Sequence, residues 1–457
     1  MRIAFIASSL LLAASLSAQT TDTAWTRLVK DTTHNPDIRT LVSRLDFDKY
    51  KATVKGLTQF GDRRQGTKRN RDAVDWIEAQ LKSYGCTPTE RIIYTYTTPQ
   101  RGRGGRGGDS TGAGGRGGDS TAGRGRGAGG RGGAGGRGAA GGAGGAGGGG
   151  AGGDSTGGRG GRGNRAGSPA SGGGTLRGVV TRTGVNTDSL KQADLKLRAL
   201  NTEPATDGER QEVYCTKVGT THPDEMYIVG GHMDGHGWGE AANDDGSGTA
   251  LVMELARVYS MPDVQTDRSI RFILWNNEET GTNGARAYIQ QRYALQGKES
   301  PAGSGKYPEP KWLGMIQHDM MMFDHGMPNP DSTMRQEQRP EADVNIEFAI
   351  SSKYAEQAMK LAFVLHRANS KYATDYPAQV GPHMTNTDSG PFQDSIPAIS
   401  LRENERGREI GAGWDPQWHQ VTDMFSTYTD KDFRLGLNAA QTTLSGVAIL
   451  TGARLKK

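Results

Sequence analysis

The sequence predicts an α/β protein, a mostly parallel mixed sheet flanked by helices on both faces, and three observations predict it. Strand-like runs alternate with segments of helical period along most of the chain. At 457 residues and 34% hydrophobic side chains there is enough apolar material for a full core. A long glycine-rich tract interrupts the pattern, yet the runs on either side of it read as strands of one sheet.

The elements follow in order. "RDAVDWIEAQLKSYG" sets Val74, Ile77, Leu81 and Tyr84 at helical spacing and closes on Gly85, a natural helix stop. "ERIIYTYT" reads as a strand. Beyond the tract, "RQEVYCTKVG" and "EMYIVGGHMD" read as strands, and a helix capped by Ser247 runs on through Leu251, Leu255 and Val258. "RSIRFILWN" is a strand, "GARAYIQQRY" a helix and "KWLGMIQHD" a strand. "NIEFAIS" and "IPAISL" are strands around the helix "KYAEQAMKLAFVLHRA", and residues 430–451 form a closing helix.

The remaining segments carry other messages. Residues 1–18 have Arg2, an apolar run from Ile3 to Leu16 and small residues at Ser15, Ser17 and Ala18, the layout of a cleaved secretory signal peptide. A bilayer span needs about 20 apolar residues, more than this run supplies. Export to a periplasm or the exterior is expected, with no transmembrane segment after signal removal. A lead segment at 19–40 precedes a domain at 41–457, which residues 98–175 interrupt as a low-complexity insertion. Its glycine, small and arginine residues offer almost nothing to bury, so disorder is expected. The insertion holds eleven arginines against three aspartates within a whole-chain charge of +5, so the basic balance does not belong to the remainder. Arg-Gly repeats can bind RNA, but this one has no interleaved aromatics, and no nucleic-acid partner is expected. Cys86 and Cys215 permit one disulfide in an oxidising compartment; two buried thiols are the alternative. The oligomeric state is not legible.

In an open parallel sheet, ligands bind at the carboxyl ends of strands. "EMYIVGG" ends in His232 and Asp234, "RFILWNN" in Glu278 and Glu279, and "WLGMIQH" in Asp319. Asp244 and Asp245 lie in "ANDDGSG" and His419 in "WDPQWHQVTD". Imidazole nitrogen and carboxylate oxygen are ligands zinc accepts, and a bridging carboxylate can hold two metals together. Adjacent Glu278 and Glu279 make sense if one holds a metal while the other stays free as a base.

"GGHMDGHGWGEAANDDGSGTALVMELARV", "FILWNNEETGTNGARAYI", "IQHDM", "TDSGPFQDSIPAISL" and "WHQVTD" together resemble the M28 family of zinc-dependent exopeptidases, the aminopeptidase Y and carboxypeptidase Q groups, over roughly residues 211–455. The resemblance implies a zinc-exopeptidase, phosphorylase/hydrolase-like fold and two Zn2+ per chain. One would be held by His232 and Asp319 and the other by Glu279 and His419, with Asp244 bridging and a cis bond from Asp244 to Asp245. It implies Glu278 as general base and acid, Asp234 as the carboxylate orienting the histidine, and peptides as substrates. Trp418 replaces the tyrosine many members carry, and Thr387-Asp388-Ser389-Gly390 replaces their Ser-Asp-His. Aminopeptidase action is the expected reaction. Its rivals are a dipeptidase or carboxypeptidase, a one-zinc glutaminyl cyclase relative, and a non-catalytic binding module on the same scaffold. His236 and His383 are loop histidines of incidental or substrate-facing role, and alternation turns His318 away from Asp319.

Overall fold

The computed structural model describes residues 34–99, 184–323, 344–382, 387–403 and 415–457. The expected signal peptide, most of the glycine-rich insertion and His383 lie outside them.

Three helices lead: α1 (Pro36–Ser43), α2 (Phe47–Thr58) and α3 (Lys68–Ser83). The Thr67 hydroxyl caps α3 by accepting the Asn70 N–H at 3.2 Å, and Gly85 follows the helix at φ 80°. The face that buries Val74, Ile77 and Leu81 is the one the spacing predicts. Next come β1 (Thr89–Tyr96), α4 (Leu195–Asn201), β2 (Gly208–Lys217), β3 (His222–His232) and α5 (Gly246–Tyr259). They are followed by β4 (Val264–Gln265), β5 (Arg268–Trp275), α6 (Asn283–Arg292) and β6 (Lys311–His318). The chain closes with β7 (Val344–Phe348), α7 (Ala355–Tyr372), β8 (Ala378–Pro382), β9 (Ala398–Arg402), α8 (Asp430–Thr451) and β10 (Arg454–Leu455).

Eight strands form one sheet in the order β1-β2-β5-β3-β6-β9-β7-β8. The central run β5, β3, β6, β9 is parallel throughout, and β7 pairs parallel with β8. Antiparallel pairings bring in β1, β2 and β7. Strands before and after the insertion therefore do share a sheet: Thr89 faces Cys215 and Tyr96 faces Gly208. Cys86 and Cys215 form a disulfide closing a loop of 129 residues.

Strand alternation divides the core between the two faces. Val229, Phe272, Leu274 and Ile316 pack with Leu251 and Leu255 of α5 and Leu444 and Val447 of α8. Ile228, Ile273, Trp275 and Met315 pack with Tyr288, Trp312 and Phe392 on the other side. The second face also buries an ion pair: Arg271 Nη1 lies 2.5 Å from Glu309 Oε2, and the Tyr288 hydroxyl donates to Glu309 Oε1 at 2.7 Å. His318 points into the first face, 2.8 Å from the Thr443 hydroxyl, and burial pushes its pKa down to about 4.

The cap of α5 differs from expectation. Asp245, and not Ser247, holds the first turn, accepting the Gly248 N–H at 2.8 Å. Ser247 sits within that turn and donates to the Asn243 carbonyl at 2.8 Å.

Candidate metal centre

Three adjacent parallel strands end at one level. His232 is in register with Trp275, and Gly231 with His318, so the residues following β3, β5 and β6 emerge side by side. That register brings His232, the Glu278–Glu279 pair and Asp319 to one place. The loop ahead of α5 adds Asp244, and the loop ahead of α8 adds His419.

Asp244 stands between the two imidazoles. Its Oδ1 is 3.2 Å from His232 Nε2 and its Oδ2 is 2.9 Å from His419 Nε2. Asp319 Oδ1 lies 4.0 Å from His232 Nε2, and Glu279 Oε2 lies 2.9 Å from His419 Nε2. The Asp244–Asp245 peptide is cis. His232, Asp244, Asp319 and His419 are all buried.

The loops are held in uncommon conformations. Trp238, Ala241, Asn277, Met320 and His419 all have positive φ, and each is a candidate ligand or lies within six residues of one. Such strain persists only where surroundings over-determine it. Asp423 supplies part of that constraint, accepting the N–H groups of Asn243 at 2.8 Å and Asp244 at 3.1 Å. Glu403 and Asp415 accept the two hydrogens of the Asn243 amide at 2.8 and 2.9 Å. Burial, with Asp415 nearby, pushes Asp423 up to about 8.

Asp234 reaches His232 through its main chain and not, as expected, through its carboxylate. Its carbonyl, at 2.9 Å, accepts the Nδ1–H of His232, while its carboxylate is 3.8 Å from that nitrogen. A carbonyl can only accept, so Nδ1 carries a hydrogen, and Nε2 is the nitrogen aimed at Asp244 and Asp319, where a proton or a cation can sit between them. The Asp234 carboxylate instead takes the N–H groups of Glu278 at 3.0 Å and Glu279 at 3.4 Å. One residue thus orients both the histidine and the turn that carries the two glutamates. Burial, reinforced by Glu279, pushes Asp234 up to about 6.

The donor set fits a pair of divalent cations. His232, Asp244 and Asp319 offer ligand atoms within 4.8 Å of one another, as do His236, Glu279 and His419. Both ring nitrogens of His419 and Oε1 of Glu279 are buried with no hydrogen-bond partner among the described residues. Burial disfavours charge on His419, but Glu279 and Asp244 outweigh it and hold the imidazole up to about 9. So many acids demand positive charge, and a bound cation would supply it in place of those protons.

Trp418 stacks on His419 with ring centres 3.7 Å apart, so it braces a candidate ligand where a tyrosine hydroxyl was the family expectation. Asp388 is buried with Gln317 Nε2 3.4 Å from one oxygen. Two charged residues went unread in the sequence, Arg402 and Glu403 at the carboxyl end of β9. Arg402 Nη2 lies 3.0 Å from Asp319 Oδ2, and its Nε lies 3.5 Å from Glu347 Oε2. The strand-end rule, extended to "IPAISLRE", finds both; nothing in the sequence singles out Asp415.

Aminopeptidase YwaD of Bacillus subtilis (strain 168) is 33% identical over 114 residues, 24% of this chain and 23% of that protein. Carboxypeptidase Q of Xenopus laevis is 31% identical over 96 residues, 21% of this chain and 20% of that one. The chain thus matches only about a fifth to a quarter of these curated relatives' length. In fold, it is similar to the LapA aminopeptidase of Legionella pneumophila, with TM-score 0.52 and 13% identity over 92% of this chain and 76% of that one. An aminopeptidase from Aneurinibacillus sp. strain AM-1 gives TM-score 0.51 at 17% identity, covering 92% and 97%. The sequence pattern of Peptidase family M28 matches residues 212–440, half of the chain, and the protein therefore belongs to peptidase family M28.

Proposed function

We propose that the chain is an exported, two-zinc exopeptidase that removes residues from the N-termini of peptides. The observation that carries this reading is the placement of Asp244, with one oxygen toward His232 at 3.2 Å and the other toward His419 at 2.9 Å. His232, Asp319 and Asp244 would hold one ion, and Asp244, Glu279 and His419 the other. When bound, such ions polarise a peptide carbonyl and lower the pKa of water.

The side chains do the rest. Glu278 is half-buried beside the ligands, and its main chain is pinned by Asp234. It takes a proton from the attacking water and passes it to the nitrogen of the leaving amine. Asp234 fixes the tautomer of His232, so the lone pair needed for a metal is already aimed inward. Burial of His232, Asp244 and Asp319 keeps bulk water from competing for these groups.

Export rests on the pattern of residues 1–18, and no described helix is long and apolar enough to cross a membrane. A single domain at 41–457, interrupted at 98–175, is part of the same proposal. Because a carboxypeptidase Q matches about as well as an aminopeptidase, the second reading is a dipeptidase or carboxypeptidase.

The test is release of free amino acids from a small peptide series by the wild-type chain and by Glu278→Gln at matched zinc content. Hydrolysis by the first and a loss of about 10²-fold or more in the second is expected. N-terminal acetylation should abolish release; release that survives acetylation selects the carboxypeptidase reading. A wild-type chain that holds two zinc ions and cleaves nothing would sink the enzyme reading and favour a binding module.

A further inference from the structure

His236 is not among the five ligands of the proposed two-zinc site, yet it is built into the same cluster. Its Nε2 lies 3.0 Å from Glu279 Oε2, the oxygen that also faces His419 at 2.9 Å. The two imidazoles meet edge to face with centres 4.0 Å apart. His236 Nε2 is buried and, although it lies 3.0 Å from the Glu279 carboxylate, makes no well-aligned hydrogen bond among the described residues. A cation placed between that nitrogen and the shared carboxylate would satisfy both groups.

The placement of His236 is enforced by the backbone. Gly237 has φ 104°, and a Cβ there would lie 2.4 Å from the backbone of His419. Asn186 ties the two loops together, its N–H donating to the His419 carbonyl at 2.9 Å and its side-chain amide to the Gly237 carbonyl at 3.2 Å. The histidine just before Gly237 is therefore held at the edge of the His419 ring. Ligands fixed before a cation arrives cost little to organise.

We propose that His236 is a further protein ligand of the ion at Glu279 and His419, so that with Asp244 this site has four protein ligands. The inference rests on the two-metal reading of the centre. The other site, His232, Asp319 and bridging Asp244, keeps three protein ligands. Sites with a full set of four are closed and structural in character, whereas sites with three keep a position for water or substrate. Arg402 sharpens the difference by placing a cation 3.0 Å from Asp319 in the three-ligand site. The two ions are then unequal, the one with four protein ligands more tightly held and the other looser, with more room for substrate.

The test is competition for zinc between a chromophoric chelator and the full-length chain, wild type against His236→Ala. The wild type should take up two ions in separate steps, and the variant should weaken the tight step at least about tenfold while the other shifts little. Two ions bound with both steps unchanged in the variant would overturn the role of His236 and leave the two-metal reading standing. Fewer than two ions in the wild type would bring down both. A measurement on the wild type alone guards against a variant that fails to fold: with cobalt(II) in both sites, three strongly shifted imidazole N–H resonances are expected, and two would overturn the proposal.

Discussion

Arg402 reaches Asp319 across the end of the sheet, Nη2 to Oδ2 at 3.0 Å, so a fixed cation already occupies one side of a carboxylate proposed to hold a metal. Arg402→Met removes that charge and leaves Asp319 and Glu347 without it in a buried setting. Breaking such a pair costs about 3–5 kcal/mol. The metal-free variant should melt well below the wild type. Zinc, taking over as counter-charge, should recover more of the loss than it adds to the wild type. Thermal unfolding with and without zinc reads both effects; an equal zinc-induced shift in the two proteins would refute the coupling.

Gly237→Ala is expected to damage the centre without touching any proposed ligand. The new methyl group would need both a left-handed backbone and space now filled by the main chain of His419. Strain of this kind costs about 1–3 kcal/mol, or more where backbone must move. The expected result is a lowered melting temperature together with zinc lost on dialysis. Retention of two zinc ions per chain would show that the two loops are not packed as described.

Glu309→Gln addresses the far face of the sheet. It leaves the Arg271 guanidinium buried without its countercharge, although Tyr288 stays in place. A loss of about 3–5 kcal/mol in denaturant unfolding is expected, with peptide hydrolysis per folded molecule unchanged.

Glu78 gives a pH signature away from the centre. Partial burial opposes its charge, but hydrogen bonds from Lys82, Thr89 and Arg91 outweigh this and lower its pKa from 4.5 to about 2. Because the folded value lies below the unfolded one, the stabilisation is present above about pH 4.5 and is lost as pH falls through about 2. Solvent screening holds it to about 1 kcal/mol. Glu78→Gln should therefore trail the wild type by about that much at pH 7, with the gap closing over that acid range. A gap independent of pH would point to lost packing instead.

The strand ends were the most legible part of this protein. His232, Glu278, Glu279 and Asp319 follow strands whose pattern is plain in the sequence, and the parallel register then places them together. Asp244 and His419 sit in loops, where no periodicity fixes a position, so the sequence offered them as possible donors and only the resemblance to a family gave them their roles. The double duty of Asp234 was out of reach because it depends on a carbonyl and on two main-chain N–H groups, which sequence does not display. Helices α1, α2 and α4 and the five-residue β8 went unread, the shortest having too few turns for a period to emerge. Arg402 was missed for a simpler reason: an arginine on a strand that ends at a cluster of acids should have been read as their counter-charge.

The bond between Cys86 and Cys215 has a consequence for the integrity of the molecule. Any single cut in the peptide chain between these positions leaves two fragments that remain covalently one molecule, still paired along β1 and β2. A nick anywhere in that stretch would be silent on a non-reducing gel and visible only once the sulfur bridge is opened.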